Sequence, residues 1–244
     1  MIEETLRIET SAGLMPTFAV RPGAGRFPPV ILYMDAVGIR DELYDFARRI
    51  AREGYFVLMP DMYYRRGTER FSLPAEPEEL ARMAAAMNSL NNALVMEDTK
   101  PLLAFLDASP AALPGPRGCI GYCMSGQYVV SAMGTYPQAF AAGASLYGVG
   151  IMTDKPDSPH LLAPRIAGEI YFGFAETDRF VPDHVIPGIK SAFDEHGVAY
   201  RLDVLPETDH GFCFPQRATY HEAAAEEAWK AVFDLYRRRL TPAG

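Results

Sequence analysis

Apolar residues in this chain fall into two patterns: short unbroken runs, and longer stretches where they recur every three or four positions. The first pattern predicts strands buried on both faces, and the second predicts helices with one apolar stripe. Pro28-Pro29 introduces the clearest run, Val30-Ile31-Leu32-Tyr33-Met34, and Tyr55 to Met59 is another, closed by Pro60-Asp61. Between them Leu43, Phe46, Ala47 and Ile50 sit at helical spacing over residues 41–53, and Gly54 stops the helix. Further runs predict strands at 119–122, 140–146, 169–174 and 200–205. Helical patterns cover 78–90, 93–106, 125–135, 185–196 and 220–239. At the N-terminus, residues 6–9 and 17–20 flank Ser11-Ala12-Gly13 and predict a hairpin. Residues 62–77 and 148–167 are polar or proline-rich and read as loops.

Strands that alternate with helices imply a mostly parallel central sheet with helices on both faces, joined by right-handed crossovers. No repeat, low-complexity stretch or linker divides the chain, so a single α/β domain over 1–244 is expected.

Composition narrows the function classes. The net charge is −8, and no basic run is longer than Arg237-Arg238-Arg239, which argues against nucleic acid or an anionic membrane surface as partner. A small anionic substrate stays compatible, because a few local arginines outweigh the global charge at close range. Three cysteines, Cys119, Cys123 and Cys213, do not make a disulfide framework and favour a reducing compartment. Met1-Ile2-Glu3-Glu4 does not open a signal peptide, and no apolar run is long enough to span a bilayer, so a cytoplasmic protein is expected. Neither a His-Glu-x-x-His nor a Cys-x-x-Cys pattern occurs, so neither metal nor cofactor is expected. Monomer and homodimer are both compatible with the sequence.

In open α/β sheets, sites form beyond the carboxyl ends of the strands. Three candidates sit there. Gly121-Tyr122-Cys123-Met124-Ser125-Gly126 joins a strand to a helix, the place where a nucleophile is forced into a sharp turn between small neighbours. Cys123 is the candidate nucleophile, facing the partial positive charge of a helix N-terminus, with the Met124 N–H as an oxyanion donor. Equally, a free cysteine is often just a small buried apolar residue, as Cys119 inside the strand illustrates. Asp178 follows the strand at 169–174 and is placed to orient a histidine, with Glu176 and Asp183 as neighbouring competitors. His210, in Thr208-Asp209-His210-Gly211-Phe212, follows the strand at 200–205. His196 and His221 are read as surface residues of helices, His184 as a helix-start residue and His160 as part of the long loop. The order nucleophile, acid, base is the one an α/β-hydrolase fold requires.

These motifs resemble the dienelactone hydrolase family. The likeness runs from Pro29 to the last helix and rests on Gly121 to Gly126, on Gly173-Phe174-Ala175-Glu176-Thr177-Asp178 with Val181-Pro182, and on His210-Gly211-Phe212. It implies a Cys123–His210–Asp178 triad that cleaves an ester or an unsaturated lactone through a thioester. Members also carry an acid after the third strand that holds the resting thiol. Asp35 stands there, where the best-known members have glutamate, and Ala36 would supply the second oxyanion N–H. An arginine that binds the substrate carboxylate in the family is matched here by Phe214, with Arg217 further along, and Ser125 replaces a frequent glycine. Arg40, Arg65, Arg66 and Arg217 are therefore the candidates for an anionic substrate group, alongside Arg70, and Tyr147 is a candidate pocket wall with Tyr33, Tyr63 and Tyr64. Two other functions compete: a non-catalytic binding protein on the same fold, and a redox-sensing thiol. An intact Asp178 and His210 favour hydrolysis, since neither alternative requires them.

Overall fold

Two strands of nine residues each form the opening hairpin in the computed structural model, which describes residues 1–240. β1 (Ile2–Thr10) and β2 (Gly13–Arg21) run antiparallel, from Ile2 opposite Arg21 to Thr10 opposite Gly13. Gly13, at φ 119°, closes the turn in a region that side chains disfavour. Both strands are longer than the apolar pattern suggests. β1 is largely exposed, so only Ile8 among its residues is buried and hydrophobicity marks little of its length.

The chain divides into two units, Met1–Gly115 and Pro116–Gly244. In the first, β2 pairs antiparallel with β4 (Phe56–Pro60), which pairs parallel with β3 (Pro29–Tyr33). α1 (Asp41–Arg52) packs on β2 and β4, with Tyr44 edge-on to Phe18 at 4.8 Å. α2 (Pro77–Asn88) buries only Ala86. α3 (Asn92–Ala108) lies against β1, and its Thr99 hydrogen-bonds the Tyr33 hydroxyl at 2.9 Å. Phe18 pairs with Met59, whereas Ile31 pairs with Leu58, so alternation along the strands puts Phe18 and Tyr33 on opposite faces. Helices α1 and α3 thus cover the two sides.

The second unit holds four parallel strands in the order β5 (Arg117–Tyr122), β6 (Phe140–Leu146), β7 (Glu169–Thr177) and β8 (Ala199–Asp209). Its helices are α4 (Gly126–Thr135), α5 (Val185–Glu195) and α6 (Glu222–Arg239). A Cβ on Gly143 would meet Val129 and Met133 of α4, while one on Gly118 would meet Tyr236 of α6. Gly143 pairs with Cys119, the neighbour of Gly118, so α4 and α6 lie on opposite faces. Phe172, on the α4 face, packs edge-on against Phe193 of α5 at 5.6 Å. On the other face Trp229 and Phe233 of α6 stack at 5.3 Å, and Trp229 is fully buried. Four of the six pairings described within the two units are parallel, and the strands of each unit are covered on both faces, which is an α/β architecture.

Four places depart from the sequence expectations. The loops at 62–77 and 148–167 contain 3-10 turns, Tyr64–Arg66 and Pro159–Arg165. The segment expected to begin a helix at 125 instead makes a 3-10 turn, Cys123–Ser125, before α4 starts. His221, expected inside the last helix, is its N-cap, and its Nδ1 accepts the Ala224 N–H at 3.2 Å. Its imidazole nitrogen satisfies one of the donors that the first helical turn leaves open.

Candidate functional site

Six buried residues of β5 deliver the chain to Cys123, which adopts φ 53° in the left-handed region. Such a conformation costs a β-carbon-bearing residue about 1–3 kcal/mol and persists only where its surroundings hold it. They do so here. The Val149 N–H donates to the Cys123 carbonyl at 3.0 Å, and Gln127 Nε2 donates to the Met124 carbonyl at 3.0 Å. A Cβ on Gly121 would lie 2.5 Å from the Ser125 carbonyl oxygen, and one on Gly126 would lie 2.2 Å from Gly148 Cα. No larger residue closes this turn. Cys123 is half-buried, whereas Cys119 is fully buried and burial pushes its thiol far up.

Asp178 follows the end of β7, and its carboxylate is shared between two donors. Oδ2 accepts His210 Nδ1–H at 2.7 Å, and Oδ1 accepts the Phe180 N–H at 3.0 Å. With Nδ1 committed as donor, Nε2 is the nitrogen left for proton transfer. Glu176, a competitor by sequence, accepts the Glu207 N–H at 2.8 Å instead. His210 stands just past β8, its carbonyl accepting Thr219 Oγ1–H at 3.0 Å. Burial alone would pull the His210 imidazolium down; the hydrogen bond to Asp178 and the attraction of the Cys123 sulfur outweigh it and raise it to about 9. Nε2, the nitrogen that would meet that sulfur, is buried and makes no hydrogen bond of ordinary geometry among the described residues. Such a contact commonly tightens only when substrate binds.

The structure therefore brings Asp178 and His210 together, with Cys123 close enough to act on the imidazole. Tyr147 stands beside them, fully buried at φ 37°, its ring edge-on to His210 at 5.0 Å. Sequence reasoning missed Phe180. Its ring packs edge-on to His210 at 4.8 Å although half its surface is exposed, and the Arg179 guanidinium lies 4.7 Å from its centroid. Its only sequence signal is its position, two residues beyond Asp178. Arg217 packs under the turn after His210: its guanidinium is 4.6 Å from the Phe214 ring, and a Cβ on Gly211 would meet its Nη1 at 2.6 Å.

The remaining candidates lie in the first unit. Asp35 is fully buried, and Arg40 binds it with both terminal nitrogens, at 2.7 and 3.1 Å. Arg40 Nε also donates to Glu42 at 2.9 Å. Arg65 grips Asp98 with both terminal nitrogens, and Arg66 pairs with Glu69 at 2.6 Å. Each of these three guanidinium groups already has a carboxylate partner. The Ala36 carbonyl accepts the Tyr63 hydroxyl at 3.0 Å. Of the other histidines, His160 Nδ1 bonds Ser158 Oγ at 2.8 Å, while His184 and His196 flank α5 at its two caps. Among the described residues no group of three or more His, Cys, Asp or Glu is placed to hold a metal ion, and no helix is long and apolar enough to cross a membrane.

Comparison with known proteins follows the same lines. Residues 15–240 match the family model described as the dienelactone hydrolase family. A Synechocystis sp. protein assigned as a carboxymethylenebutenolidase is 29% identical over 219 residues, covering 88% of each chain. A solved Klebsiella pneumoniae structure, assigned as a dienelactone hydrolase, superposes with a TM-score of 0.85 at 23% identity, covering 97% of this chain and 98% of that one. A dienelactone hydrolase-like promiscuous phosphotriesterase from metagenomic libraries superposes with a TM-score of 0.83 at 18% identity, covering 98% and 99%. At those identities the two structures share the fold.

Proposed function

Because the chain belongs to the dienelactone hydrolase family, whose members act on ester and lactone bonds, we propose that it cleaves a small ester or lactone with Cys123 as nucleophile, His210 as general base and Asp178 as the acid that orients it. Cys123 Sγ attacks the carbonyl carbon while His210 Nε2 takes the thiol proton. Negative charge develops on the carbonyl oxygen. One donor to it is the N–H of Met124, the residue after the nucleophile. One such donor is worth roughly 3–4 kcal/mol of barrier, so its loss would be felt as strongly as that of a side chain. Collapse expels the alkoxide, which takes the proton from His210, and leaves a thioester on Cys123. His210 then deprotonates a water, which attacks the thioester, releases the acid and restores the thiol. Asp178 and the Cys123 sulfur raise the imidazolium to about 9, so His210 holds the thiol's proton once it has taken it and can then hand it to the alkoxide.

The His210–Asp178 bond carries this reading, because neither a binding protein nor a thiol sensor needs an oriented imidazole beside its cysteine. Turnover of p-nitrophenyl acetate tests it. Cys123→Ala and His210→Ala are each expected to lower kcat by roughly 10⁴-fold or more. A peptide mass showing the acetyl group on Cys123 after rapid quench is expected in the wild type. Equal rates in the wild type and both variants would overturn the assignment.

A further inference from the structure

Parallel strands normally keep step, but β7 and β8 fall out of step where they end. Ala175 pairs with Leu205, and the next described pair is Thr177 with Asp209. Between those pairs β7 advances two positions while β8 advances four, so β8 carries two extra residues in a bulge over 206–208. The bulge decides where the base stands. In unbroken register Thr177 would face Glu207 and Asp178 would face Thr208, leaving His210 two positions, about 7 Å, beyond the carboxylate. Two extra residues keep the alternation of side chains along β8, and they draw His210 back to its 2.7 Å bond with Asp178.

Side chains from both strands hold the bulge. Glu207 takes φ 58°, a left-handed conformation that a residue with a β-carbon seldom adopts. Its N–H donates to Glu176 Oε2 at 2.8 Å. In return Thr208 Oγ1 accepts the Glu176 N–H at 3.2 Å, and its own proton goes to the Leu205 carbonyl at 2.7 Å. Leu205 is the residue at which the regular pairing breaks. Thr208 is buried, whereas Glu176 is exposed.

We infer that Glu176 and Thr208 are positioning residues: together they lock the two-residue bulge of β8 that sets the register in which His210 meets Asp178. This rests on the roles of His210 and Asp178 given above. Bulges are rare between parallel strands and gather beside active sites, where they re-aim a side chain. Here the side chain is the general base, and an error of about 1 Å in its position can cost 100-fold in rate. Glu176 therefore serves the site through an oxygen that accepts a backbone N–H, and its charge is not what the task requires.

Glu176→Ala and Thr208→Val each remove one arm of the latch. In the full-length protein both are expected to lower kcat for p-nitrophenyl acetate roughly 10- to 100-fold, with KM within about threefold. The measurement peculiar to register is made on His210 itself. Its NMR titration midpoint, about 9 with the Asp178 bond in place, is expected to drop by about one pH unit or more in both variants. Glu176→Gln lacks the charge but keeps an oxygen to accept the Glu207 N–H, and it is expected to restore both kcat and midpoint nearly to wild type. A kcat within about twofold of wild type in Glu176→Ala overturns the inference. So does a midpoint that stays near 9 while kcat falls, or a Glu176→Gln protein as impaired as Glu176→Ala. Glu176 is exposed, so its truncation leaves the core intact and decides the matter if Thr208→Val does not fold. Full turnover in Cys123→Ala is a separate outcome: it removes the nucleophile assignment, while the His210 midpoints of the latch variants still decide whether the bulge sets the register.

Discussion

Cys119 and Cys123 are four residues apart in one sequence and differ in everything that governs reactivity. The first is sealed inside β5, where burial opposes the thiolate, while the second sits at φ 53° on the strand end, near enough to affect an imidazole. His210 differs from the other four histidines in the same manner. Among the described residues it alone shares a bond with a buried carboxylate, whereas His221 caps a helix and His160 serves a loop. Asp178→Asn removes the charge while preserving the shape. Burial, which disfavours the imidazolium, then meets less opposition, and the His210 titration midpoint is expected to fall by about 1–3 pH units in an NMR pH titration. A midpoint that stays near 9 would mean Asp178 does not set the charge of the base. At this scale the sequence was a good guide to the bond between His210 and Asp178 and a poor one to the arginines. Arg40, Arg65 and Arg66 look like free cations in a linear reading, and nothing local to Arg65 announces Asp98, 33 residues further on.

At the scale of elements, the strand-to-helix junction is the least forgiving place in the chain. Gly126 is helical, at φ −58°, so its requirement for glycine comes from space and not from conformation. An added methyl group would lie 2.2 Å from Gly148 Cα and 2.5 Å from Ser145 Oγ, and the backbone at 148 has to retreat. Gly126→Ala is expected to lose about 1–3 kcal/mol in urea denaturation, together with most esterase activity, because the displaced backbone leads directly to Cys123. Gly118→Ala is the control. There the nearest obstacle is the tip of a side chain, Leu240 Cδ1 at 2.9 Å, and the loss is expected to be smaller. Strand ends were harder to read than strand cores. β8 runs through Pro206 to Asp209, past the apolar run that reveals it, and Thr177 pairs with Asp209 only after a register shift. Proline is tolerated there because β8 pairs with β7 on one side only among the described residues, so no ladder bond is lost on its open edge.

For the whole molecule, the raised imidazole links stability to pH. A histidine that titrates near 9 when folded and near 6.5 when unfolded adds stability that is fully present below about 6.5 and is lost as pH climbs through 9. The expected size is roughly 3 kcal/mol. Urea midpoints of the wild type and His210→Gln, compared between pH 6 and 9.5, are expected to converge as pH rises; a constant difference would show that His210 makes no such contribution.

The amino-acid sequence by itself determined the alternation of strands and helices, the chain order of Cys123, Asp178 and His210, and the glycines that let the turn at Cys123 close. Each of these is written in spacing along the chain or in the identity of one residue. Only the tertiary structure decided which arginines were already matched by carboxylates, that Phe180 leans on the His210 imidazole, and that Arg40 grips both oxygens of Asp35. Those facts depend on residues from different elements meeting in space. Periodicity records which face of an element is buried, and it carries no record of what that face will touch.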